Sequence, residues 1–316
     1  MGKNGTGLPF ISIVVSVRNG KHFAAACVES LLQQDYPKSR HEIIVVDNCS
    51  TDGVQDFLKR YDIRVLSAPL ALGGGVGRNA GIRESKGDLI AITDIDCVAH
   101  PSWLHHLAED WGNPRYGGFV GPIVGTQTGN PIQEWMEQFY NQELNLKNTD
   151  FPLVQTANAA YRRSLFEQIG GFDENLTWWE DVEFSWRMKA RTAFEYKFKP
   201  GAIVYHQNRA TLQQVRRKFY TRGYGKAACA KRIPFLRKPP IPLLAARHGA
   251  NACLQAGKIA LRTAASMNTD QREALLRTKF WFSFHWGMAA GLASGWFDAA
   301  NANPNIPKIL NSVSPQ

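Results

Sequence analysis

The run Leu89-Ile-Ala-Ile92 is apolar without alternation and stops abruptly at Thr93-Asp94-Ile95-Asp96. Such a run marks a strand covered on both faces, as in a parallel sheet with helices on either side. Residues 10–17 and 42–47 have the same β-branched make-up, and each ends in a polar turn, at 18–20 and 48–53. Helical spacing separates these runs. Val28, Leu31 and Leu32 share one face of residues 22–34, a helix is expected over 54–61, and another leaves the Gly-rich segment 72–81 and ends near Lys86. With a short strand at 63–67, strand and helix alternate as far as residue 96. The fold class that follows is α/β, a doubly wound, mostly parallel sheet with right-handed crossovers.

The position of Asp94 and Asp96 carries chemistry. Open α/β sheets bind ligands beyond the carboxyl ends of their strands. Hard divalent cations prefer carboxylate oxygens and keep coordination sites free for a substrate's phosphates. The same two residues also read as polar caps of a strand end. Pro101 is expected to open a helix at its first position. The Gly-rich segment neither follows the first strand nor has an acidic ribose partner downstream, which argues against a Rossmann dehydrogenase. It reads as a flexible loop bringing backbone N–H groups and Arg78 to a pyrophosphate, or as a helix entry where glycine permits close packing.

After Trp111 the pattern changes. Strands are expected at 117–125, 153–161 and 202–205, and helices at 132–146, 164–169 and from Trp178-Trp179-Glu180-Asp181 to about 190. Two carboxylates at a helix start suit the helix dipole. Beside two tryptophans they also suit a general base next to a sugar-stacking platform. His206, at a strand end, is a candidate metal or phosphate partner.

Residues 1–186 carry a net −8 and residues 187–316 a net +18, within the +10 of the whole chain. The basic part points to an anionic partner such as phospholipid or a pyrophosphate. It shows no base-reading helix or aromatic stacking module, so no nucleic acid is expected. Five scattered cysteines without metal spacing read as reduced, mostly buried thiols of a cytosolic protein, and the polar, Gly-rich residues 1–9 do not read as a signal peptide. From 211 the chain is basic and helical. Pro234, Pro239, Pro240 and Pro242 mark a boundary, followed by a helix over 243–265 and an 18-residue apolar stretch, 280–297, interrupted by His285. Gly287, Gly291 and Gly295 give that stretch a smooth face for close packing, on a membrane-embedded partner, on the chain itself or on a second subunit.

Taken together, Val15-Ser16-Val17-Arg18-Asn19, Val45-Val46-Asp47-Asn48-Cys49-Ser50-Thr51-Asp52-Gly53, Gly77-Arg78-Asn79-Ala80-Gly81-Ile82, Thr93-Asp94-Ile95-Asp96, Thr156-Ala157-Asn158, Gly170-Gly171-Phe172-Asp173-Glu174 and Trp179-Glu180-Asp181 resemble the family 2 glycosyltransferases, nucleotide-sugar enzymes of the GT-A fold. The resemblance covers about residues 10–225. It implies an inverting sugar transfer from a nucleoside diphosphate to an acceptor hydroxyl, in cell-surface glycan or glycolipid synthesis. Carried over by position, Ser16, Arg18, Asp47 and Asn48 hold the nucleoside, Arg78 approaches the pyrophosphate, and Asp94 touches the ribose or sugar. Asp96 and His206 serve Mg²⁺ or Mn²⁺, Asp181 is the base, and Trp178, Trp179, Glu180 and Asn158 face the acceptor, a glycan or lipid-linked hydroxyl. Many members have aspartate where this chain has Asn48, so UDP is the first choice of donor nucleotide and dTDP the second.

The expected organisation is a flexible N-terminus (1–9), a catalytic domain (10–233, with a nucleotide-sugar half 10–110 and an acceptor half 111–233) and a basic, apolar helical tail (234–316). The tail is expected to hold the enzyme at the cytoplasmic face of a membrane, shallow insertion ranking ahead of packing on protein and of a true span. Self-association is left open. The alternatives are a sugar-phosphate nucleotidyltransferase, in which Asp181 has no role, and a non-catalytic nucleotide-sugar or carbohydrate-binding protein.

Overall fold

The computed structural model describes residues 7–68, 73–126, 129–147, 152–230, 232–233, 236, 239–263 and 269–301. They divide into two compact units, one of residues up to 129 and 134–208, the other of 130–133 and everything from 209.

The first unit is built on strands β1 (Ile11–Val17), β2 (His41–Asp47), β3 (Arg64–Ser67) and β4 (Leu89–Asp94), joined through helices α1 (Lys21–Leu32), α2 (Val54–Leu58) and α3 (Gly74–Glu84). These four strands are parallel, in the order β3-β2-β1-β4. Leu89, Ile90, Ala91 and Ile92 have no exposed surface, as the unbroken apolar run requires. The register pairs Val17 with Asp47 and Ser16 with Asp94, so the polar ends of β1, β2 and β4 lie at one level of one sheet edge.

Beyond β4 the sheet turns mixed. β8 (Asn158–Arg162) runs antiparallel between β4 and β6 (Tyr116–Val120), and β9 (Glu195–Phe198) adds parallel to β6. A second sheet of three short strands has β10 (Val204–His206) between β5 (Cys97–Ala99) and β7 (Ile123–Gly125). Around them lie α4 (Trp103–Ala108), α5 (Pro131–Glu137), α6 (Gln142–Lys147), α7 (Arg163–Ile169) and α8 (Glu180–Arg191).

Several expected elements are shorter or split. The strand at 117–125 breaks at Gly121-Pro122 into β6 and β7, which belong to different sheets. The helix at 132–146 is two, α5 and α6. The strand at 153–161 forms only from Asn158, and that at 202–205 only from Val204. Pro101 sits in a turn, and α4 starts two residues later. β5 and β9, of three and four residues, are too short to give a periodic signal in the sequence. The Gly-rich segment is helical from Gly74, and its glycines serve packing: Gly81 lies on Val14 and Val46, and Gly77 on Ser16. Residue 72 of that segment lies outside the described residues.

The second unit holds α9 (Leu212–Cys229), α10 (Ile241–Thr263) and α11 (Thr269–Asn301). The division by compactness falls at residues 208/209, and within the second unit α9 lies along α11. Gly287, Gly291 and Gly295 of α11 meet the backbone of Arg216, Tyr220 and Tyr224 on α9, and Gly223 of α9 meets Met288 and Leu292. The smooth face of the apolar stretch is thus spent on a neighbouring helix of the same chain. Among the described residues no helix is long and apolar enough to cross a membrane.

Candidate functional site

Two turns at the ends of β1 and β2 form one side of the site. They are tied to each other: Asn19 N–H donates to Ser50 Oγ at 2.9 Å, and Asn19 Oδ1 accepts from Thr51 N–H at 2.8 Å. Asp47 Oδ1 accepts from Ser50 N–H at 3.0 Å, and Asn48 N–H donates to Val17 O at 2.8 Å. Asn48 Nδ2 holds the carbonyl of Gly73 just before α3, while its buried Oδ1 has no partner. Arg18 is exposed and Ser16 partly buried at the end of β1.

The only non-glycine residues with positive φ among those described are Asn19 (52°), Cys49 (56°) and Trp179 (71°). The first two lie in these turns and the third caps α8 directly before Glu180-Asp181. Strained backbone of this kind persists where surrounding structure over-determines it, and it gathers at ligand sites.

Arg78 on α3 joins this edge to α8. Its Nη2 donates to Asp94 Oδ1 at 2.9 Å and its Nη1 to Glu180 Oε1 at 2.5 Å, with the guanidinium buried. Burial opposes its charge, but Asp94 and Glu180 outweigh burial and raise its proton affinity. Asn79 extends the tie, exchanging hydrogen bonds with the backbone of Phe172 in the loop before α8. For Glu180, burial pushes the carboxyl up to about 7 against the pull of Arg78. Burial also raises Asp181, while Arg78 and the N–H of Val182 pull it down and Asp94 adds to the rise. Asp181 is thus within electrostatic reach of both Arg78 and Asp94.

β10 brings His206 to Asp96. The antiparallel register sets His206 opposite Cys97, the residue after Asp96, and Gln207 N–H donates to Asp96 O. His206 Nε2 lies 3.6 Å from Asp96 Oδ2, and Nδ1 is 3.0 Å from Asn208 Oδ1. With Nδ1 donating to Asn208, Nε2 turns its lone pair toward the carboxylate. An imidazole nitrogen and a carboxylate oxygen facing each other in this way fit a hard divalent cation, with Asn208 fixing the tautomer. Among the described residues no three His, Cys, Asp or Glu side chains gather to hold a metal by themselves. A cation here would take its other ligands from water and diphosphate. The thiols of Cys27 and Cys97, just behind this edge, are raised by burial and then by Asp96, and so stay protonated.

The sequence pattern described as Glycosyl transferase family 2 matches residues 12–170, half of the chain. The chain belongs to glycosyl transferase family 2. This family 2 glycosyltransferase is 27% identical over 219 residues to Glycosyltransferase AglE of Haloferax volcanii, covering 67% of this chain and 71% of AglE. It is 29% identical over 238 residues to the Pre-mycofactocin glycosyltransferase of Mycobacterium tuberculosis, covering 71% of this chain and 48% of that protein, so it spans about half the length of the latter. Among solved structures, mannosyltransferase PcManGT from Pyrobaculum calidifontis, in complex with GDP-Man and Mn²⁺, aligns at TM-score 0.62 and 20% identity over 93% of this chain and 88% of that one. S. aureus TarS 1-349 in complex with UDP aligns at TM-score 0.51 and 18% identity over 93% and 92%. These likenesses show the GT-A fold.

Within the glycosyltransferase, the residues expected at the donor (Ser16, Arg18, Asp47, Asn48, Asp94) share one sheet edge, and Asp96 and His206 come together beside it. Two residues expected at the acceptor are buried in this structure. Asn158 is completely buried, its Nδ2 donating to Pro122 O and Ala202 O and its Oδ1 accepting from Trp103 Nε1, so its side chain ties parts of the fold together. Glu180 is buried and turned onto Arg78. Trp178 and Trp179 stay partly exposed at the start of α8. Sequence reasoning missed Asn208, whose only signal is a polar residue two places beyond a strand-end histidine, and Tyr140, whose ring lies 4.7 Å from that of His206.

Proposed function

We propose that the chain transfers a sugar, with inversion, from a nucleoside-diphosphate sugar to the hydroxyl of a glycan or lipid-linked acceptor. One observation carries the reading: carboxylates from the end of β4 and from the start of α8 converge around Arg78, pairing a donor-side group with a candidate base. Asp181, whose proton affinity burial raises, takes the acceptor's proton as the hydroxyl attacks the anomeric carbon. The departing diphosphate leaves from the opposite side, so the sugar inverts and no covalent nucleophile is needed. Mg²⁺ or Mn²⁺ held by Asp96 and His206, when bound, would supply Lewis-acid stabilisation of the leaving diphosphate. A nucleotidyltransferase would leave Asp181 idle, and a pure binding protein would have no use for a base there.

The buried, unpartnered Oδ1 of Asn48 at this turn supports a nucleobase with a ring N–H to donate, as uracil, thymine and guanine have and cytosine and adenine lack; UDP ranks first and dTDP second. The GDP-Man in PcManGT makes guanosine the competitor to include. The test is release of diphosphate from a panel of UDP-, dTDP-, GDP-, CDP- and ADP-sugars with Mn²⁺. Asp181→Asn is expected to keep nucleotide binding and lose transfer by about 10²-fold or more. Asp96→Ala is expected to abolish the Mn²⁺-dependent part of UDP binding in calorimetry. Transfer at the wild-type rate by Asp181→Asn would reduce that residue to a helix cap, and diphosphate release from the GDP- or ADP-sugars alone would defeat the pyrimidine assignment.

A further inference from the structure

Resting on the transfer reaction above, we propose that Arg78 is a positioning residue, a cationic strut that sets Asp181 against the donor edge, and not a clamp for the diphosphate. Both terminal nitrogens of its guanidinium are engaged by carboxylates that belong to the protein, Asp94 on β4 and Glu180 on α8. These partners are 16 and 102 residues away in sequence, so this one side chain bridges two elements that the backbone does not connect locally. A bidentate grip on a phosphate uses two parallel N–H groups. The two pairs take two of its five N–H groups, and the buried Nε has no partner, but turning Nη1 to a phosphate would strip the buried Glu180 carboxylate of its cation, which is costly.

The space around the guanidinium fits a permanent arrangement. A Cβ at Gly74 would lie 2.7 Å from Arg78 Nη1 and 2.9 Å from Glu180 Oε1, so the glycine leaves room for this pair. The guanidinium carbon also sits 5.9 Å from the centre of the Phe172 ring. The next residue, Asn79, pins the Phe172 backbone in both directions, at 2.8 and 2.9 Å. Arg78 and Asn79 therefore work together, one holding the start of α8 and the other the loop that leads to it. Asp181 follows Glu180 directly, so fixing the Glu180 carboxylate fixes the helix turn that carries the base. Geometry errors of about 1 Å at a reacting group cost on the order of 10²-fold in rate.

The experiment compares Arg78→Met, Arg78→Lys and Glu180→Gln with wild type, reading UDP–Mn²⁺ affinity by calorimetry and kcat at saturating donor. A strut predicts UDP affinity within about threefold of wild type for all three, and kcat down by about 10²-fold in Arg78→Met, with partial recovery in Arg78→Lys. It also predicts that Arg78→Met combined with Glu180→Gln is little worse than either alone, because both variants break one pair. The ascending limb of the kcat–pH profile should move to higher pH in Arg78→Met, since Arg78 lowers Asp181. A clamp predicts the reverse: UDP affinity down by about 10²-fold, kcat at saturation retained, and the two substitutions multiplying. Thermal melting checks folding, and Arg78→Lys carries the comparison should the methionine variant unfold. Failure of the wild type to release diphosphate from any nucleotide sugar would overturn the transfer reaction instead, and the calorimetric comparison would still decide between strut and clamp.

Discussion

Asn158 makes its contribution through three hydrogen bonds that no solvent can replace: two carbonyls, Pro122 O and Ala202 O, share its amide, and Trp103 Nε1 donates to its oxygen. Asn158→Ala should destabilise the fold by about 3 kcal/mol, since buried groups left unpaired lose their full desolvation cost. Urea unfolding checks the loss, with transfer per folded molecule expected to stay near wild type. A sequence motif containing Asn158 marks a position under constraint without saying whether the constraint is a ligand or the fold. Asp94, Asp96 and Asp181 were legible because strand ends and helix starts have local signals. The partners of Arg78 were not, because a contact across 102 residues leaves no trace in spacing.

Among the elements, the α9–α11 contact is the clearest case of small residues allowing close approach. Gly291→Ala would drive a methyl into the Tyr220 carbonyl, and overpacking against backbone should cost about 1–3 kcal/mol. Gly257→Ala on α10 meets nothing within 4 Å and should instead stabilise by about 1 kcal/mol through helix propensity. Melting of the two variants in opposite directions is the check. The glycine spacing was visible in the sequence, but the surface it would meet was not, because protein and lipid both accept a smooth face. Short strands such as β9 escaped because four residues cannot display a period.

The helix pair α10–α11 also carries a pH dependence. His248 Nδ1 lies 2.9 Å from His285 Nδ1, and burial, then His285, Lys226 of α9 and Arg247 lower His248 to about 4. The unfolded chain protonates near 6.5 and the folded one near 4, so stability is full above 6.5 and falls as the pH drops toward 4. Melting of wild type should follow that slope between pH 7 and 4, and His248→Phe should flatten it.

At the scale of the whole molecule, charge is the most uneven property. Residues 209–316 hold 17 Lys and Arg against 3 Asp and Glu. Leu243, Leu254, Trp286 and Phe297 of α10 and α11 are exposed beside them in sequence. Basic residues interleaved with exposed apolar ones favour an anionic lipid surface, and that preference can be tested directly. The full chain should co-sediment with phosphatidylglycerol vesicles, release at high salt and ignore pure phosphatidylcholine. Equal partition with both vesicle types would remove lipid charge from the account.

The place of β8 in the sheet has a consequence for synthesis. Its pairing with β4 joins Leu89 to Arg162, and its other neighbour, β6, also precedes it in the chain. While the protein is being made, β4 therefore stands as a bare edge, rich in Leu and Ile, until residue 162 has left the ribosome. Open apolar edges of this kind invite pairing with other chains. The donor strands can gather early, but the edge that carries Asp94 is closed only by a strand that arrives about seventy residues later. Translation pauses between residues 94 and 162 would lengthen that exposure, so synonymous changes in this stretch bear on yield even though they leave the finished enzyme the same.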